Sequence, residues 1–335
     1  MWHVGIDLHR LTVVLAAVND SGEAMNPMTI PCSDTAAIAN AVNALGTFRA
    51  VIEATGTYRW LYDLLRPYGT VLLAHPMRLR AMIQRRSKTD KLDAQLLANL
   101  LRINQIPLAY IPPEPYQQLR DLTRCRAKLG RHLAKVKIQL RDLLARQNRE
   151  SPYRTPFGPR GLGWFRSQEF GPIEDMVRDE LLARFRHYAK QMTLFDKRLE
   201  ETRQAFPQAE ALLDIRGIGL YSALLIVAEI GEPARFRTAK QVGAYTGLTS
   251  RVHQSGGHCY QGSITRQGSP WLRWVLVQAA MKAVHGDDVA LANFYRRIRK
   301  RSGAKTARVA AARKLAEICW KRLRQWQREQ AHQAA

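Results

Sequence analysis

The sequence predicts an α/β domain over residues 1–112, a pair of long linker helices over 113–206 and a mainly α-helical domain over 207–335. Three observations support this prediction. Short apolar segments alternate with helix-like segments in the first part. Apolar side chains then recur at three- and four-residue steps over residues 115–149, which is the pattern of a long helix. Apolar helices separated by glycine turns follow in the last part.

The N-terminal part has the element order of a three-stranded meander followed by alternating helices and strands. β-Branched and apolar residues predict the strands, and an Asn-Asp-Ser-Gly turn joins the second strand to the third. The predicted strands cover residues 2–7, 12–18, 24–30, 49–53 and 70–74, and the predicted helices cover 34–45, 60–66 and a segment that starts at 90. This is the order of a ribonuclease-H-like fold.

Four acids lie at positions that such a fold would bring together. Asp7 and Glu53 each end a predicted strand, while Asp90 and Asp93 stand in the first turn of a helix that Thr89 can cap. Their three-residue spacing puts Asp90 and Asp93 on one side of that helix. Neighbouring carboxylates repel one another, and a divalent cation, Mg²⁺ or Mn²⁺, is the usual reason to hold them close. The alternative for Asp90 and Asp93 is a solvated, capped helix start.

The chain is strongly basic. Its 335 residues include 52 Lys and Arg against 28 Asp and Glu, which gives a formal net charge of +24. A polyanionic partner is therefore expected, and nucleic acid is favoured over a membrane because the basic residues are spread along the whole chain. We recognise no bilayer-spanning apolar run and no signal peptide. The widely spaced cysteines indicate reduced thiols in a cytoplasmic protein; they are Cys32, Cys125, Cys259 and Cys319.

Several basic and glycine-rich segments are candidates for contact with phosphates. A glycine-hydrophobe-glycine turn between two helices can bring backbone N–H groups near a phosphate, although it can also be an ordinary turn. The arginine clusters can contact phosphates directly or form a solvated basic face. The candidate nucleic-acid-binding residues are Arg85, Arg86, Lys88, Gly217, Gly219, Arg266, Arg273, Arg296 and Arg297.

The two linker helices carry apolar residues in a coiled-coil pattern. Arg126 is the one break in the apolar seam of the first helix, and the second helix repeats the same spacing over residues 181–199. A segment rich in proline and glycine, residues 151–163, separates the two helices. An intramolecular helical hairpin and a dimerising coiled coil both fit this pattern.

Residues 250–262 are rich in small and polar side chains and predict a loop. Ser255 precedes two glycines, which would leave its hydroxyl accessible, although a lone serine in such a context is usually only a loop residue. Nearby arginines could stabilise the charge that develops when a hydroxyl attacks a phosphodiester. His253, His258 and Cys259 do not have the spacing of a common zinc site.

Motifs in both halves of the chain resemble those of one family. The N-terminal motifs are VGID at residues 4–7, EATGTY at 53–58 and KTDKLDA at 88–94. The C-terminal motifs are IRGIG at 215–219, GAYTGL at 243–248, QSG at 254–256 and GSPWLR at 268–273. In this order they resemble bacterial insertion-sequence transposases of the insertion sequence 110 family, which includes Piv-type DNA invertases. Arg216 departs from the proline that is usual before the glycine turn.

This resemblance implies a RuvC-like N-terminal domain in which Asp7, Glu53, Asp90 and Asp93 form a metal-binding DEDD tetrad. It implies that Ser255 is the catalytic nucleophile and forms a covalent phosphoserine link with DNA. The two parts of the site would come from different protomers of a dimer or tetramer. The resemblance also implies a structured noncoding guide RNA that pairs with donor and target DNA, and a location in the bacterial cytoplasm at the nucleoid.

Two other functions stay open on the residues alone. A purely metal-dependent RuvC-like nuclease or junction resolvase would use the acids, leave Ser255 structural and produce free 3′-hydroxyl ends. A nucleic-acid-binding scaffold without catalysis would bind equally well with or without Mg²⁺. Four acids gathered in a basic protein argue against the scaffold, because they weaken phosphate binding unless a metal neutralises them.

Overall fold

A computed structural model of the chain describes residues 1–82, 89–255 and 258–333, without the side chains of residues 255, 258, 259 and 261. The chain divides into two compact units, Met1–Ile111 and Pro112–Ala335. The first unit holds a central sheet with helices, and the second is largely helical. The three-part division at residues 112 and 206 stays a prediction, and the second unit contains both of its later parts.

The first unit is built on a five-stranded sheet. Its strands are β1 (Trp2–Leu8), β2 (Thr12–Asn19), β3 (Met28–Pro31), β4 (Phe48–Glu53) and β5 (Thr70–Ala74). Their order across the sheet is β3-β2-β1-β4-β5. β2 pairs antiparallel with β1 and β3, whereas β4 pairs parallel with β1 and β5. The five predicted strands are present, although β3 starts only at Met28 because Ala24 makes no more than an isolated bridge.

Helices cover both faces of this sheet. They are α1 (Thr35–Asn43), α2 (Tyr58–Leu65), α3 (Pro76–Met82) and α4 (Asp90–Arg102). On one face, Ile38 of α1 and Leu61 of α2 join a buried core with Ile6 and Ile52. On the other face, Leu97 of α4 packs in a core with residues of β4 and β5. Side chains that alternate along β4 therefore divide between these two cores, with Ala50 and Ile52 in the first and Val51 in the second.

α4 crosses β1 at very close range beside Gly5. A Cβ on Gly5 would overlap the carbonyl oxygen of Ala94 and the amide nitrogen of Ala98, and it would lie 2.9 Å from Cβ of Leu97. Ala94 and Ala98 are small and fully buried. Only glycine fits at this crossing, because a side chain there would push the helix away from the sheet.

The second unit is formed mainly by helices of very different lengths. Its elements are α5 (Glu114–Arg146), α6 (Pro159–Arg166), α7 (Pro172–Thr202), α8 (Leu220–Ile230), α9 (Ala239–Tyr245), β6 (Ser250–Ser255), β7 (His258–Ile264), α10 (Pro270–Ala283) and α11 (Val289–Gln333). α11 is broken at Gly303, whose φ of +81° is not helical. Glycine adopts this left-handed conformation without a steric cost, so it sets the position of the break.

α5 and α7 pack against each other within the chain. Arg126 of α5 pairs with Asp196 of α7, while Leu140 lies in one core with Leu182 and Phe185. Rising numbers along α5 thus meet falling numbers along α7, so the two helices are antiparallel. Of the two alternatives that the sequence leaves open, this arrangement is the intramolecular hairpin. A dimerising coiled coil stays a prediction.

The segment 151–163 between these helices is not a simple break. α6 begins inside it at Pro159, where proline is favourable at the first turn of a helix. Phe157 stacks on Phe165 of α6 and on Phe185 of α7. The proline- and glycine-rich segment therefore folds back onto the helical pair.

The main core of the second unit surrounds α8, which is buried from Ala223 to Ile230. It includes residues of α9, α10 and α11, and Leu119 of α5 and Leu199 of α7 also belong to it. The ends of the two long helices are thus part of the C-terminal core.

A buried ionic group ties α5 to the end of α8. Arg120 donates hydrogen bonds to the carbonyl oxygens of Ala228 (2.8 Å) and Glu229 (3.0 Å). Arg124 donates hydrogen bonds from Nε and Nη2 to the two carboxylate oxygens of Glu229, at 2.7 and 3.0 Å. Glu229 is only 1% exposed, so its charge is balanced inside the protein. Arg120 thus satisfies carbonyl groups at the helix end, and Arg124 is paired with the buried carboxylate.

The predicted loop over residues 250–262 is wrong, because this segment contains the antiparallel strands β6 and β7. Val252 pairs with Gln261, His253 with Tyr260 and Ser255 with His258. The sequence signal was a glycine pair between two short runs that contain Val252 and Tyr260, both favourable in strands. Within the described residues, no helix of either unit is long and apolar enough to cross a membrane.

Candidate functional site

The parallel pairing of β1 with β4 brings two of the predicted acids to neighbouring positions. Ile6 of β1 is in register with Ile52 of β4, and Asp7 and Glu53 are the next residue of each strand. Side chains alternate along a strand, so both acids point away from the core of Ile6 and Ile52 and towards the α4 face. The register therefore supports the predicted approach of Asp7 and Glu53.

The first turn of α4 carries the other two acids. Thr89 caps this helix as predicted, since its hydroxyl oxygen accepts a hydrogen bond from the N–H of Leu92 at 3.3 Å. Asp90 and Asp93 follow in the first turn, where the helix dipole favours carboxylates. α4 runs antiparallel to β1, and its N-terminus therefore reaches the end of the strand that bears Asp7.

His9 completes a cluster with Asp7 and Asp90. Its Nε2 lies 3.0 Å from Oδ2 of Asp7 and 3.2 Å from Oδ1 of Asp90. One potential ligand atom from each of the three residues lies within 4.8 Å of the others. His9 is not among the site residues that the sequence predicts. The available signal was its position two residues after Asp7, which places alternating side chains on the same side of an extended chain.

The electrostatics of Asp7 suit a site for a cation. Its side chain is 14% exposed, and burial raises the pKa of its carboxyl group. His9 acts in the opposite direction and lowers this pKa, while the negative charges of Asp90 and Asp93 raise it. Asp93 is thus near enough to act on Asp7. A bound cation would offset both the burial and the repulsion.

The donor set fits a divalent metal ion. Carboxylate oxygens are ligands that Mg²⁺ and Mn²⁺ accept, and an imidazole nitrogen is better suited to Mn²⁺ than to Mg²⁺. The side chain of Asp90 is 54% exposed, so the cluster is open to solvent on the α4 side. Of the predicted basic residues next to it, Arg85, Arg86 and Lys88 lie outside the described residues.

Ser255 stands at the end of β6 in the second unit. Its backbone pairs with His258, and the preceding residues Arg251 to Gln254 are exposed. The base of this hairpin is anchored, since Ile264 packs against the main core and Thr265 donates a backbone hydrogen bond to Thr249 at 2.9 Å. The predicted nucleophile thus lies at the end of β6 in a hairpin whose other end is packed against the main core.

The structure gives Gly217 and Gly219 different roles. Gly217 has a φ of +94°, and a Cβ there would lie 2.7 Å from Cβ of Lys282 and 2.8 Å from the carbonyl oxygen of Ala279. Packing against α10 therefore already requires glycine at this position. Gly219 precedes the first residue of α8, and a Cβ there would meet no atom within 4 Å. The space needed for a phosphate is available at Gly219.

The predicted phosphate-binding arginines also differ in their surroundings. Arg273 donates a hydrogen bond to the carbonyl oxygen of Thr246 at 3.0 Å, and burial and the charge of Arg266 lower its pKa. Arg266, Arg296 and Arg297 are exposed. Their contact with nucleic acid stays a prediction, and the exposed arginines have free access to a phosphate backbone.

Comparison with known proteins identifies the family of this chain. Residues 4–148 match a model of DEDD transposases of the IS110 type, and residues 209–296 match the Transposase IS116/IS110/IS902 family. Together the two matches include most of the first unit and parts of the second. The chain belongs to the IS110 family of transposases. The cluster of Asp7, His9 and Asp90 lies within the stretch that matches the DEDD transposase model, and this family typically uses a divalent metal.

Relatives of this transposase carry names of the same kind. A Sinorhizobium fredii protein, y4qE, described as a transposase, is 25% identical over 88% of this chain and 74% of its own length. The pilin gene-inverting protein of Moraxella bovis is 27% identical over 83% of this chain and 81% of its own. The transposase for insertion sequence element IS1328 of Yersinia enterocolitica is 27% identical over 75% of each chain. These names support a transposase or DNA-inverting recombinase.

Proposed function

We propose that this transposase cuts and rejoins DNA by transesterification, with Ser255 as nucleophile and with Asp7, Glu53, Asp90 and Asp93 as the metal-binding tetrad. The observation that carries the proposal is the meeting of Asp7, His9 and Asp90 where α4 crosses β1. A basic protein gains nothing for DNA binding from grouped acids unless they hold a cation.

The residues divide the chemistry between them. The Ser255 hydroxyl loses its proton as its oxygen attacks phosphorus, a phosphoserine bond forms, the bond to the leaving strand breaks, and the leaving oxygen takes up a proton to become a hydroxyl. In rejoining, a strand hydroxyl attacks the phosphoserine, and the Ser255 oxygen leaves and regains a proton. The tetrad would hold a cation, Mg²⁺ or Mn²⁺, which supplies charge stabilisation at the phosphodiester. Asp7 and Glu53 are fixed by the sheet and Asp90 and Asp93 by a capped helix, so little reorganisation is needed to bind it.

The fold supports the same proposal. The strand order β3-β2-β1-β4-β5, with one antiparallel meander and two parallel additions, agrees with a ribonuclease-H-like, RuvC-like domain over residues 1–112. Residues 207–335 would form the serine domain and 113–206 the linker. We further propose that the active form is a dimer or tetramer at the bacterial nucleoid, in which the serine and the tetrad of one site come from different protomers.

The proposed partners are donor DNA, target DNA and a structured noncoding guide RNA. The net charge of +24 supports a nucleic-acid partner, and the exposed Arg296 and Arg297 on α11 are candidates for its backbone. RNA that co-purifies with the full-length protein gives the test. A discrete structured species supports guidance, whereas a heterogeneous smear that RNase removes without loss of recombination contradicts it.

One observation favours a second candidate function. Asp7, His9 and Asp90 all lie in the first unit, so the residues that could hold a metal ion are grouped there without Ser255. A purely metal-dependent RuvC-like nuclease or junction resolvase could work with this unit alone. It would leave free 3′-hydroxyl ends and no protein attached to DNA.

Trapping of protein–DNA adducts separates the two functions. Full-length protein is incubated with element-end DNA and Mg²⁺ or Mn²⁺, then denatured and resolved by size. We expect a covalent adduct with the wild type and also with Ser250→Ala, the matched control on the same strand. We expect no adduct with Ser255→Ala or Asp7→Ala. An adduct that persists in Ser255→Ala excludes the serine mechanism, and cleavage without adduct in wild type favours the nuclease.

A further inference from the structure

The β6–β7 hairpin carries an exposed pair of stacked rings. His253 and Tyr260 are directly opposite in the register, with ring centroids 4.8 Å apart and an angle of 11° between the ring planes. The Tyr260 side chain is among the exposed large residues of the chain, at 64%. Stacked aromatic rings are usually part of a core or an interface, so an exposed pair needs another reason.

The histidine supports the tyrosine from one side. The imidazole lies close to Gly262, where a Cβ would be 3.7 Å from its Cδ2 and Nε2 atoms. Because Gly262 has no side chain, the His253 ring can lie against the hairpin backbone. That ring in turn covers one face of the Tyr260 ring. With this backing and its high exposure, Tyr260 has an aromatic face that is free to receive a further flat group.

No acid lies in the hairpin sequence from residue 250 to residue 264, while Arg251 lies on β6 and Arg266 is the second residue after β7. Arg273 is near Arg266, since the charge of Arg266 lowers its pKa. An aromatic face beside basic groups is the arrangement by which proteins bind single-stranded nucleic acid, with the base stacked and the phosphate paired. The charge therefore favours a nucleobase over an apolar protein segment.

The position of the pair selects the kind of nucleic acid. His253 is two residues before Ser255 on the same strand. A base close to a reacting phosphate must leave its duplex if the strand is to be exchanged, and stacking on an aromatic ring lowers the cost of that step. We propose that Tyr260, backed by His253, is a stacking platform for an unpaired base of the DNA strand that reacts at Ser255. The placement at the reacting strand rests on the proposed function.

Binding of single-stranded DNA tests the platform without any need for catalysis. The full-length Ser255→Ala protein is titrated, without metal, against labelled oligothymidine and against a duplex of the same length. We expect Tyr260→Ala to weaken binding to oligothymidine by about tenfold, since stacking of one base is worth about 1–3 kcal/mol, and to change binding to the duplex less than about twofold. Tyr260→Phe, which keeps the ring, should bind like the parent.

Val252→Ala is the matched control, because Val252 is a neighbour on β6 with a similar exposure of 61%. It should leave oligothymidine binding unchanged. A second readout uses an oligothymidine with one 2-aminopurine, whose fluorescence falls when its base stacks. The parent and Tyr260→Phe should quench it, and Tyr260→Ala should not.

Several results would overturn the platform. One is that Tyr260→Ala weakens binding to both DNA forms equally, or to neither. Another is that Val252→Ala weakens oligothymidine binding as much as Tyr260→Ala does. A third is that Tyr260→Ala weakens binding to oligouridine and not to oligothymidine. The adduct experiment fails independently of this one. If no serine adduct forms but quenching depends on Tyr260, the platform stands and only its link to Ser255 is lost.

Discussion

Gly5 and Ala94 set the distance between the two elements that carry the acids. A Cβ on Gly5 would overlap the carbonyl oxygen of Ala94, so α4 rests directly on the backbone of β1. Asp7 is two residues further along β1, and Asp90 is one helical turn before Ala94. The close crossing therefore holds the two carboxylates within reach of one cation.

Gly5→Ala should separate these acids without touching any of them. The added methyl must displace α4, which we expect to destabilise the protein by about 1–3 kcal/mol and to weaken Mn²⁺ binding by about tenfold. Thermal unfolding and titration calorimetry measure the two effects. Gly163→Ala is the control, since a Cβ there meets no atom within 4 Å. Unchanged metal affinity in Gly5→Ala would show that the crossing does not position the site.

Asp7→Asn should stabilise the metal-free protein while it removes metal binding. Burial raises the pKa of Asp7, so the folded state holds its proton more tightly than the unfolded state. The contribution of Asp7 to stability is greatest below the unfolded-state pKa and is lost as the pH rises from there through the folded-state pKa, after which it stays constant.

At neutral pH without metal, we therefore expect Asp7→Asn to melt a few degrees higher than wild type. The melting temperature of this variant should also depend less on pH. Asp90→Asn is the comparison, and its melting temperature should rise less because Asp90 is more exposed than Asp7. Added Mn²⁺ should reverse the order, because only wild type binds it. A lower melting temperature for metal-free Asp7→Asn would contradict the assignment of burial as the dominant effect.

His9→Ala should change the metal preference. Imidazole favours Mn²⁺ over Mg²⁺, and its removal leaves only carboxylates. We expect Mn²⁺ affinity to fall by about tenfold and Mg²⁺ affinity to change much less. Calorimetry and the electron paramagnetic resonance of bound Mn²⁺ give the readout, with the exposed neighbour Arg10→Ala as control. An equal loss for both metals would assign His9 an orienting role through Asp7 and Asp90.

Arg120→Met should destabilise the second unit. It leaves the carbonyl oxygen of Ala228 without its arginine and removes one of the cations beside the buried Glu229. Breaking such a buried ionic group costs about 3 kcal/mol. Chemical denaturation compares this variant with Lys128→Met, an exposed position on the same helix. Equal midpoints for the two variants would show that Arg124 alone balances Glu229.

The elements near the candidate metal site follow from local sequence, which is why they could be predicted. Asp7 and Glu53 end apolar strands, and Thr89 caps α4 through a bond to Leu92 only three residues away. Strand propensity, alternation and capping act over a few residues, so one sequence carries the full signal. The same holds for α5, whose apolar periodicity is visible without a partner.

Features that depend on distant residues were not predicted. Arg120 fits the basic face of an isolated helix, yet it caps a carbonyl that is 109 residues away in sequence. Gly217 fits a phosphate-binding turn, yet its positive φ and its contact with α10 already explain the glycine. Residues 250–262 suggested a loop because small residues obscured the cross-strand pairs of β6 and β7.

The sequence by itself determined the family, the five strands, the capped helix with two of its acids and the strong positive charge. Only the tertiary structure decided that α4 lies against Gly5, that His9 joins Asp7 and Asp90, and that Tyr260 is stacked and exposed. The physical reason is that local patterns report backbone preference and polarity. The distance between a carboxylate and an imidazole, or the open face of a ring, is set by packing between segments far apart in the chain.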